Sequence, residues 1–315
     1  AGESTSFNIT INTGAKPIPK IDVVFAIDRT GSMGDEISIV KAKAIEIMNN
    51  ITSKVDDSWF GLVSFMDYNS SYSYPGYSAQ YGSASSGDFP WQIDQQPTED
   101  IAKVSSAINA LWIGSGVDEP ECYTRVLYES MSLNWRALSK KMLIVIGDAP
   151  THDLNFGGRN FGGDPGRDAM AETVDDLDFE TVVSQVKDEG ITVLAVQGSM
   201  YEPMRTYANA TFEGMSVGYE NATGTGGQHF LLANAGEIPE VISKMIEEEV
   251  STINRLTLSV PTEHESWVSF TPKEYADVPP ENTRVFNVTV TVPNGTVAGE
   301  VTFLIQALGD GALLG

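Results

Sequence analysis

The stretch Ile21-Asp22-Val23-Val24-Phe25-Ala26-Ile27 runs directly into Asp28-Arg29-Thr30-Gly31-Ser32-Met33-Gly34. Its first part is short, apolar and rich in β-branched residues, which predicts a buried strand of a parallel sheet. The strand fixes Asp28 at its carboxyl end, and the next turn carries two hydroxyls, on Thr30 and Ser32. These hard oxygen ligands predict a site for Mg²⁺, Mn²⁺ or Ca²⁺. Because neutral hydroxyls leave much of the ionic charge uncompensated, we expect the ion to accept an outside carboxylate. The alternative interpretation of the motif is an ordinary helix cap beside a turn glycine.

Strand and helix patterns alternate after this point, which predicts an α/β fold: a doubly wound, mostly parallel, Rossmann-like sheet. In such sheets ligands bind outside the carboxyl ends of the strands, where Asp28, Asp67 and Asp148 are expected. The predicted strands are 21–27, 59–65, 141–148, 191–196 and 228–232, and the predicted helices are 37–55, one from about 98, one from about 120, 178–189 and 237–250.

Both ends of the chain show a period of two instead, which predicts strands with one buried face. The apolar members of this pattern are Phe7, Ile9, Ile11; Leu256, Leu258, Val260; Phe286, Val288, Val290, Val292; and Val301, Phe303, Ile305, Ala307. We therefore expect a small β-sandwich made from residues 1–18 and 253–315, with residues 19–252 inserted between them. Its second sheet has few predicted strands, so the sandwich is expected to be incomplete and the chain to be part of a longer protein.

The segment Tyr68 to Pro97 is rich in Tyr, Ser and Gly and has no sustained periodicity, so it is predicted to be a long loop. Tyr, Ser and Gly dominate adaptable binding surfaces, and aromatic side chains are costly to leave in water. The alternative is a flexible surface excursion. The candidate ligand-binding residues are Tyr72, Tyr74, Tyr77, Tyr81 and Trp91.

Composition excludes several classes of protein. The net charge of −24 over 315 residues makes nucleic acid and anionic membranes poor partners. A single cysteine, Cys122, allows no internal disulfide and no cysteine zinc site. Seven Asn-x-Ser/Thr sequons favour an exported glycoprotein, at Asn8, Asn50, Asn69, Asn209, Asn221, Asn287 and Asn294.

Over residues 20–252 these motifs resemble the von Willebrand factor A domain, in its integrin β-subunit I-like form. The residues that carry the resemblance are Asp28-x-Thr30-x-Ser32, Asp35-Glu36, Asp67, Asp118-Glu119-Pro120-Glu121 and Asp148-Ala149-Pro150-Thr151-His152. Integrin β subunits also insert this domain into a β-sandwich. Integrin β chains are rich in disulfides and this chain is not, so a distant or microbial relative is expected.

The resemblance implies three metal sites. The central, metal-ion-dependent adhesion site (MIDAS) would hold Mg²⁺ or Mn²⁺ through Asp28, Thr30, Ser32, Glu121 and Asp148. The adjacent site would hold Ca²⁺ through Asp35 and Glu36; both are also ordinary first-turn helix acids. The third would use Asp67, Asp118, the Pro120 carbonyl and Glu121, although Gly116 stands where the family has Asn. Thr124 is the alternative to Glu121, and His152 is expected to form structural hydrogen bonds.

These expectations lead to an extracellular, cell-surface adhesion module that is not an enzyme. It would capture the Asp or Glu carboxylate of a partner protein through the central ion, with a partner subunit beside it and no direct membrane insertion. The alternatives are a surface-layer or pilus subunit with a stabilising metal, an intracellular domain that works with an ATPase, and a Mg²⁺-dependent hydrolase. The hydrolase is disfavoured because no activated nucleophile stands beside a base.

Overall fold

The computed structural model describes residues 2–15, 17–297 and 299–314. Its strands are β1 (Ser4–Asn12), β2 (Lys20–Asp28), β3 (Asp57–Phe65), β4 (Ser71–Tyr74), β5 (Tyr77–Gln80), β6 (Gln92–Thr98), β7 (Lys140–Gly147), β8 (Ile191–Gln197), β9 (Gln228–Leu231), β10 (Ile253–Ser259), β11 (Val268–Thr271), β12 (Glu274–Val278), β13 (Thr283–Thr291), β14 (Gln306–Gly309) and β15 (Ala312–Leu313). Its helices are α1 (Gly34–Lys54), α2 (Ile101–Ala110), α3 (Tyr123–Ser130), α4 (Phe179–Asp188), α5 (Met204–Met215) and α6 (Ile238–Ser251).

A six-stranded sheet in the order β6-β3-β2-β7-β8-β9 forms the centre of the molecule. All its neighbouring pairs are parallel except β3 and β6. The predicted α/β fold is therefore confirmed. Because β2 pairs with β3 on one side and with β7 on the other, the chain changes direction between β2 and β7, and the carboxyl ends of these two strands flank the crevice where such sheets bind ligands.

Helices cover both faces of this sheet. One apolar core includes Ile37 of α1, Val104 of α2 and Ile242 of α6. The other contains side chains from α3, α4 and α5, the last represented by Phe212. The sequence patterns did not predict α5; its buried positions include small and polar residues as well as Met and Phe, so the helical periodicity of apolar residues is weak.

The segment 68–97 is not the long loop that the sequence predicted. It contains the hairpin β4–β5 and the edge strand β6, which pairs antiparallel with β3. Tyr72, Tyr74 and Tyr81 are buried, so the expectation that these three rings contact a ligand is wrong. They pack inward because their rings meet one another: the centroids of Tyr72 and Tyr81 are 4.9 Å apart. Tyr77 and Trp91 are half-buried.

The first strand joins the C-terminal strands, as the alternating patterns predicted. β1 pairs antiparallel with β13 along its whole length, in a sheet with the order β1-β13-β11. A second sheet has the order β12-β10-β14-β15. The strand predicted at 301–307 is wrong over residues 301–305, since pairing begins only at Gln306. The domain limits 1–18, 19–252 and 253–315 stay predictions.

A buried ion network joins the central sheet to the C-terminal strands. Lys140, at the start of β7, is buried, and its ammonium donates to Glu249 Oε2 at 3.0 Å and to Asp310 Oδ2 at 2.9 Å. It also donates to the Glu249 carbonyl at 2.7 Å, so all three of its protons have acceptors. No helix in the described part of the chain is long and apolar enough to cross a membrane.

Candidate metal centre

Asp28 lies at the carboxyl end of β2 and is fully buried. Its Oδ1 accepts hydrogen bonds from the backbone N–H of Thr30 at 2.8 Å and from the Thr30 hydroxyl at 2.7 Å. Its Oδ2 accepts from the Tyr123 hydroxyl at 2.8 Å. The turn after β2 therefore brings Thr30 against the strand-end carboxylate, as the alternate spacing predicted.

Ser32 and Asp148 meet across the crevice between β2 and β7. The Ser32 hydroxyl donates to Asp148 Oδ1 at 3.1 Å. Asp148 follows the end of β7, and Ser32 is exposed in the turn before α1. Two groups that are 116 positions apart in the chain thus share one edge of the sheet. Because Ser32 is exposed, its side of this pair is open to the surface.

Glu121 approaches the same crevice from the loop before α3. Its backbone N–H donates to the Pro150 carbonyl at 2.9 Å, and its carbonyl accepts from the His152 N–H at 3.1 Å. The carboxylate is buried, and Oε2 has no hydrogen-bond partner. A Cβ at Gly116 would lie 2.6 Å from Glu121 Oε1, so an Asn there would occupy the space that this carboxylate takes.

These side chains open onto a cleft of about 340 Å³. Thr124, the alternative to Glu121, does not line it; its hydroxyl lies 2.8 Å from the Thr151 hydroxyl inside the protein. The choice between Glu121 and Thr124 stays a prediction, since Asp28 does not line the cleft either. The lining residues are Thr30, Gly31, Ser32, Ser115, Asp118, Glu119, Glu121, Asp148, Ala149, Ser199, Met200 and Tyr201.

The carboxyl groups in this cleft lack a compensating charge. No Lys or Arg in residues 2–15, 17–297 and 299–314 forms an ion pair with Asp28, Glu121 or Asp148. Burial raises the pKa of Asp28 to about 6 and that of Asp148 to about 7, and the Asp28 charge adds to the second shift. Burial likewise raises the pKa of Glu121 well above its usual range, with added repulsion from Asp28. Buried carboxylates of this kind are stabilised by a bound cation.

The first turn of α1 carries two acids, Asp35 and Glu36, and one of them lies toward the carboxylates of the cleft. A Cβ at Gly198 would lie 3.2 Å from both Glu36 Oε1 and the Asp148 Cβ, so the Glu36 carboxylate lies beside Asp148. Burial raises the pKa of Glu36 as well. Asp35 is exposed on the same turn. The adjacent Ca²⁺ site from Asp35 and Glu36 stays a prediction.

The residues expected at the third site also meet, around His152. Asp67 is fully buried, and its Oδ2 lies 3.0 Å from His152 Nε2. Asp118 Oδ1 lies 3.9 Å from the same nitrogen. Pro120 is buried in the loop that carries Glu121. Sequence reasoning expected His152 to make structural hydrogen bonds, and its Nδ1 does bond the Phe161 carbonyl, at 2.7 Å.

Two tyrosines of the site were not predicted. Besides its bond to Asp28, the Tyr123 hydroxyl accepts from the N–H groups of Asp148 and Ala149 at 3.1 and 3.3 Å. Gly147 permits this contact, because a Cβ there would lie 2.1 Å from that hydroxyl. Tyr201, in the loop after β8, is exposed at the cleft and donates to Glu119 Oε1 at 2.8 Å.

Comparisons with known proteins show similarity to one family model and to solved structures. The model of the NPCBM-associated, NEW3 domain of alpha-galactosidase matches residues 247–307, which include β10 to β13. The crystal structure of the pilus adhesin SpaC from Lactobacillus rhamnosus GG superposes with a TM-score of 0.50 and 11% sequence identity, covering 98% of this chain and 45% of that one. At this identity the likeness shows the fold alone, and the chain spans under half the length of that protein. No curated protein matches the sequence.

Proposed function

We propose that this chain is a cell-surface adhesion module that captures a partner's carboxylate through a divalent cation. The observation that carries the proposal is that Glu121 and Asp148 line one cleft and that Asp28 is hydrogen-bonded to Thr30 of the same lining, without a Lys or Arg counter-charge among the described residues. The architecture shared with a pilus adhesin supports a surface role.

The donor set fits a hard cation. Thr30 and Ser32 supply hydroxyl oxygens, and Asp28, Glu121 and Asp148 supply carboxylates, which suit Mg²⁺ or Mn²⁺. The unpartnered Oε2 of Glu121 is a buried acceptor that such an ion would satisfy. When bound, the ion supplies a positive charge with a coordination position open to the cleft. Exposed Ser32 marks the side from which a partner would approach.

The cation is required because the cleft alone repels carboxylates. Glu119, Asp118 and Glu121 all line it, and none of the basic residues that the structure describes does. Two like charges 4 Å apart repel by about 1 kcal/mol in bulk water and by about 4 kcal/mol at an effective dielectric constant of 20. An acidic partner group therefore needs a divalent ion before it can enter. We expect chelation to abolish binding rather than weaken it.

Selection from a random peptide library tests this proposal without a known partner. Peptides would be selected on the chain in Mn²⁺ and eluted with a chelator. We expect the selected sequences to share an Asp or Glu, and binding to be lost when that residue becomes Asn or Gln. Selection of sequences that bind equally well in chelator, or that lack acids, would contradict the proposal.

A matched pair of variants isolates the central site. Ser32→Ala removes one hydroxyl ligand, while Ser38→Ala removes an exposed hydroxyl whose one hydrogen bond among the described residues goes to the Gly34 carbonyl on α1. We expect the first to lose Mn²⁺-dependent peptide binding and the second to retain it. If the metal raises the melting temperature of both variants and the parent equally and no acidic peptide is selected, the alternative of a purely stabilising metal holds instead.

A further inference from the structure

His152 is held so that one ring nitrogen faces two carboxylates. Its Nδ1 lies 2.7 Å from the Phe161 carbonyl oxygen, which can only accept, so Nδ1 carries the hydrogen. The ring stacks on Tyr81 with centroids 3.6 Å apart and an interplanar angle of 5°, which fixes its orientation. Nε2 therefore points at Asp67 Oδ2, at 3.0 Å, and toward Asp118 Oδ1, at 3.9 Å.

In the neutral imidazole with hydrogen on Nδ1, Nε2 has only a lone pair. It then faces carboxylate oxygens, acceptor against acceptor, at a fully buried position. Asp118 Oδ1 has no hydrogen-bond partner. Such an arrangement is stable only when a proton or a cation lies between the groups.

We propose that Asp67, Asp118 and His152 bind a divalent transition-metal ion, with His152 Nε2 as a direct ligand. The three donor atoms lie within 4.8 Å of one another, and neighbouring ligands of a tetrahedral Zn²⁺ ion are about 3.4 Å apart, so a small side-chain movement would complete the set. A ligating histidine usually donates its other ring N–H to a carbonyl or carboxylate, as His152 does to Phe161.

The nitrogen donor sets the class of ion. Ca²⁺ and Mg²⁺ take oxygen ligands, whereas imidazole suits Zn²⁺, Cu²⁺, Fe²⁺ and Ni²⁺; Mn²⁺ suits the two carboxylates that lie beside the imidazole here. The resemblance implies a third site with an Asn at position 116, but Gly116 offers no side-chain donor and the imidazole of His152 supplies one from another loop. The Ca²⁺ preference predicted for the adjacent site therefore does not extend to this site. Its three ligands follow β3, precede α3 and follow β7, so the ion would tie the loop after β3 to two loops that line the cleft.

This metal site takes no part in partner capture, although Glu121 of the central site is its neighbour. Its test therefore does not need a partner. The chain would be loaded with Mn²⁺ alone and examined by pulsed electron paramagnetic resonance, which detects ¹⁴N nuclei bonded to manganese. The central site offers only oxygen ligands and gives no such signal. We expect ¹⁴N modulation in the parent and its loss in His152→Gln.

Tyr81→Phe is the matched control, since it keeps the stacked ring and removes only a hydroxyl bonded to the Gly163 carbonyl. It should retain the ¹⁴N signal. Ser32→Ala should retain it too while losing the oxygen-only manganese, which separates failure of this proposal from failure of the proposed function. We further expect His152→Gln to bind Zn²⁺ at least 10-fold more weakly. Absence of ¹⁴N modulation in the parent, or its persistence in His152→Gln, would overturn the proposal.

Discussion

The hydroxyl of Tyr123 donates to Asp28 Oδ2 at 2.8 Å and thereby joins α3 to the carboxyl end of β2. The same oxygen accepts from two N–H groups that follow β7. One phenol thus holds both strands that flank the crevice. It also orients the Asp28 carboxylate, whose other oxygen accepts from the turn that carries Thr30.

Tyr123→Phe tests this role. The change leaves Asp28 Oδ2 and the N–H of Asp148 without a partner, so we expect unfolding free energy to fall by about 1–3 kcal/mol and Mg²⁺ affinity to fall with it. Urea denaturation and metal titration measure the two effects. Tyr128→Phe is the control, because its half-buried hydroxyl makes no hydrogen bond among the described residues. Equal behaviour of the two variants would show that Tyr123 only fills space.

The raised carboxyl pKa values predict how the metal-free protein responds to pH. Asp28 and Asp148 have pKa values of about 6 and about 7 in the fold, against the ordinary 3.8. Between the ordinary pKa and the raised values, the folded state binds more protons than the unfolded state. The free energy of unfolding therefore falls as pH rises from 4 to 7. Chemical denaturation at pH 5, 6 and 7 in chelator should show this decline.

Metal binding should have the opposite pH dependence. Ligating carboxylates must lose their protons, so affinity for Mg²⁺ should rise about tenfold per pH unit for each proton released, up to pH 7. Calorimetry in buffers of different ionisation enthalpy counts those protons. Binding that is independent of pH between 5 and 7 would show that Asp28 and Asp148 are not ligands.

The ion network at Lys140 should control stability without affecting the cleft. Lys140→Met leaves Glu249 and Asp310 buried without their cation, which costs about 3–5 kcal/mol. The neighbouring Lys141→Met is a close control, because Lys141 lies on the same strand, is half-buried and donates only to the Glu189 carbonyl. We expect denaturant midpoints to fall strongly for the first variant and little for the second. Similar midpoints would show that the network contributes no net stability.

Tyr201 should influence the partner but not the metal. Its hydroxyl donates to Glu119 at the cleft surface and, among the described residues, forms no hydrogen bond with a proposed ligand of the central ion. Tyr201→Phe should therefore leave Mn²⁺ affinity unchanged and shift the affinity of a selected acidic peptide by about 2- to 10-fold. Peptide and metal titrations on the same variant separate the two effects. A parallel loss of both affinities would place Tyr201 in the metal site.

Much of the α/β architecture was predictable because its signals are local. A continuous apolar run such as 21–27 has one stable environment, between two layers of helices. The strand-end position of Asp28 follows from that run alone. The antiparallel edge strand β6 was missed because most of its residues are only partly buried and it carries Gln and Asp. Neither the strand period of two nor the helical period is therefore visible in its sequence.

The finer geometry of the site depends on contacts that no spacing reveals. The hydrogen bond between Tyr123 and Asp28 joins residues 95 positions apart, and the close approach of His152 to Asp67 joins residues 85 positions apart. The Tyr-rich segment gave a false signal for a related reason. Composition cannot tell aromatic rings that face a partner from rings that pack on one another, as Tyr72 and Tyr81 do.

The most direct test of the central claim is a crystal structure with Mn²⁺ and a selected acidic peptide, in which anomalous scattering locates the metal. We predict a peak bounded by Ser32, Glu121 and Asp148, with one coordination position filled by the peptide carboxylate. A cleft without a manganese peak, or a manganese ion fully enclosed by the chain's own ligands, would contradict the account.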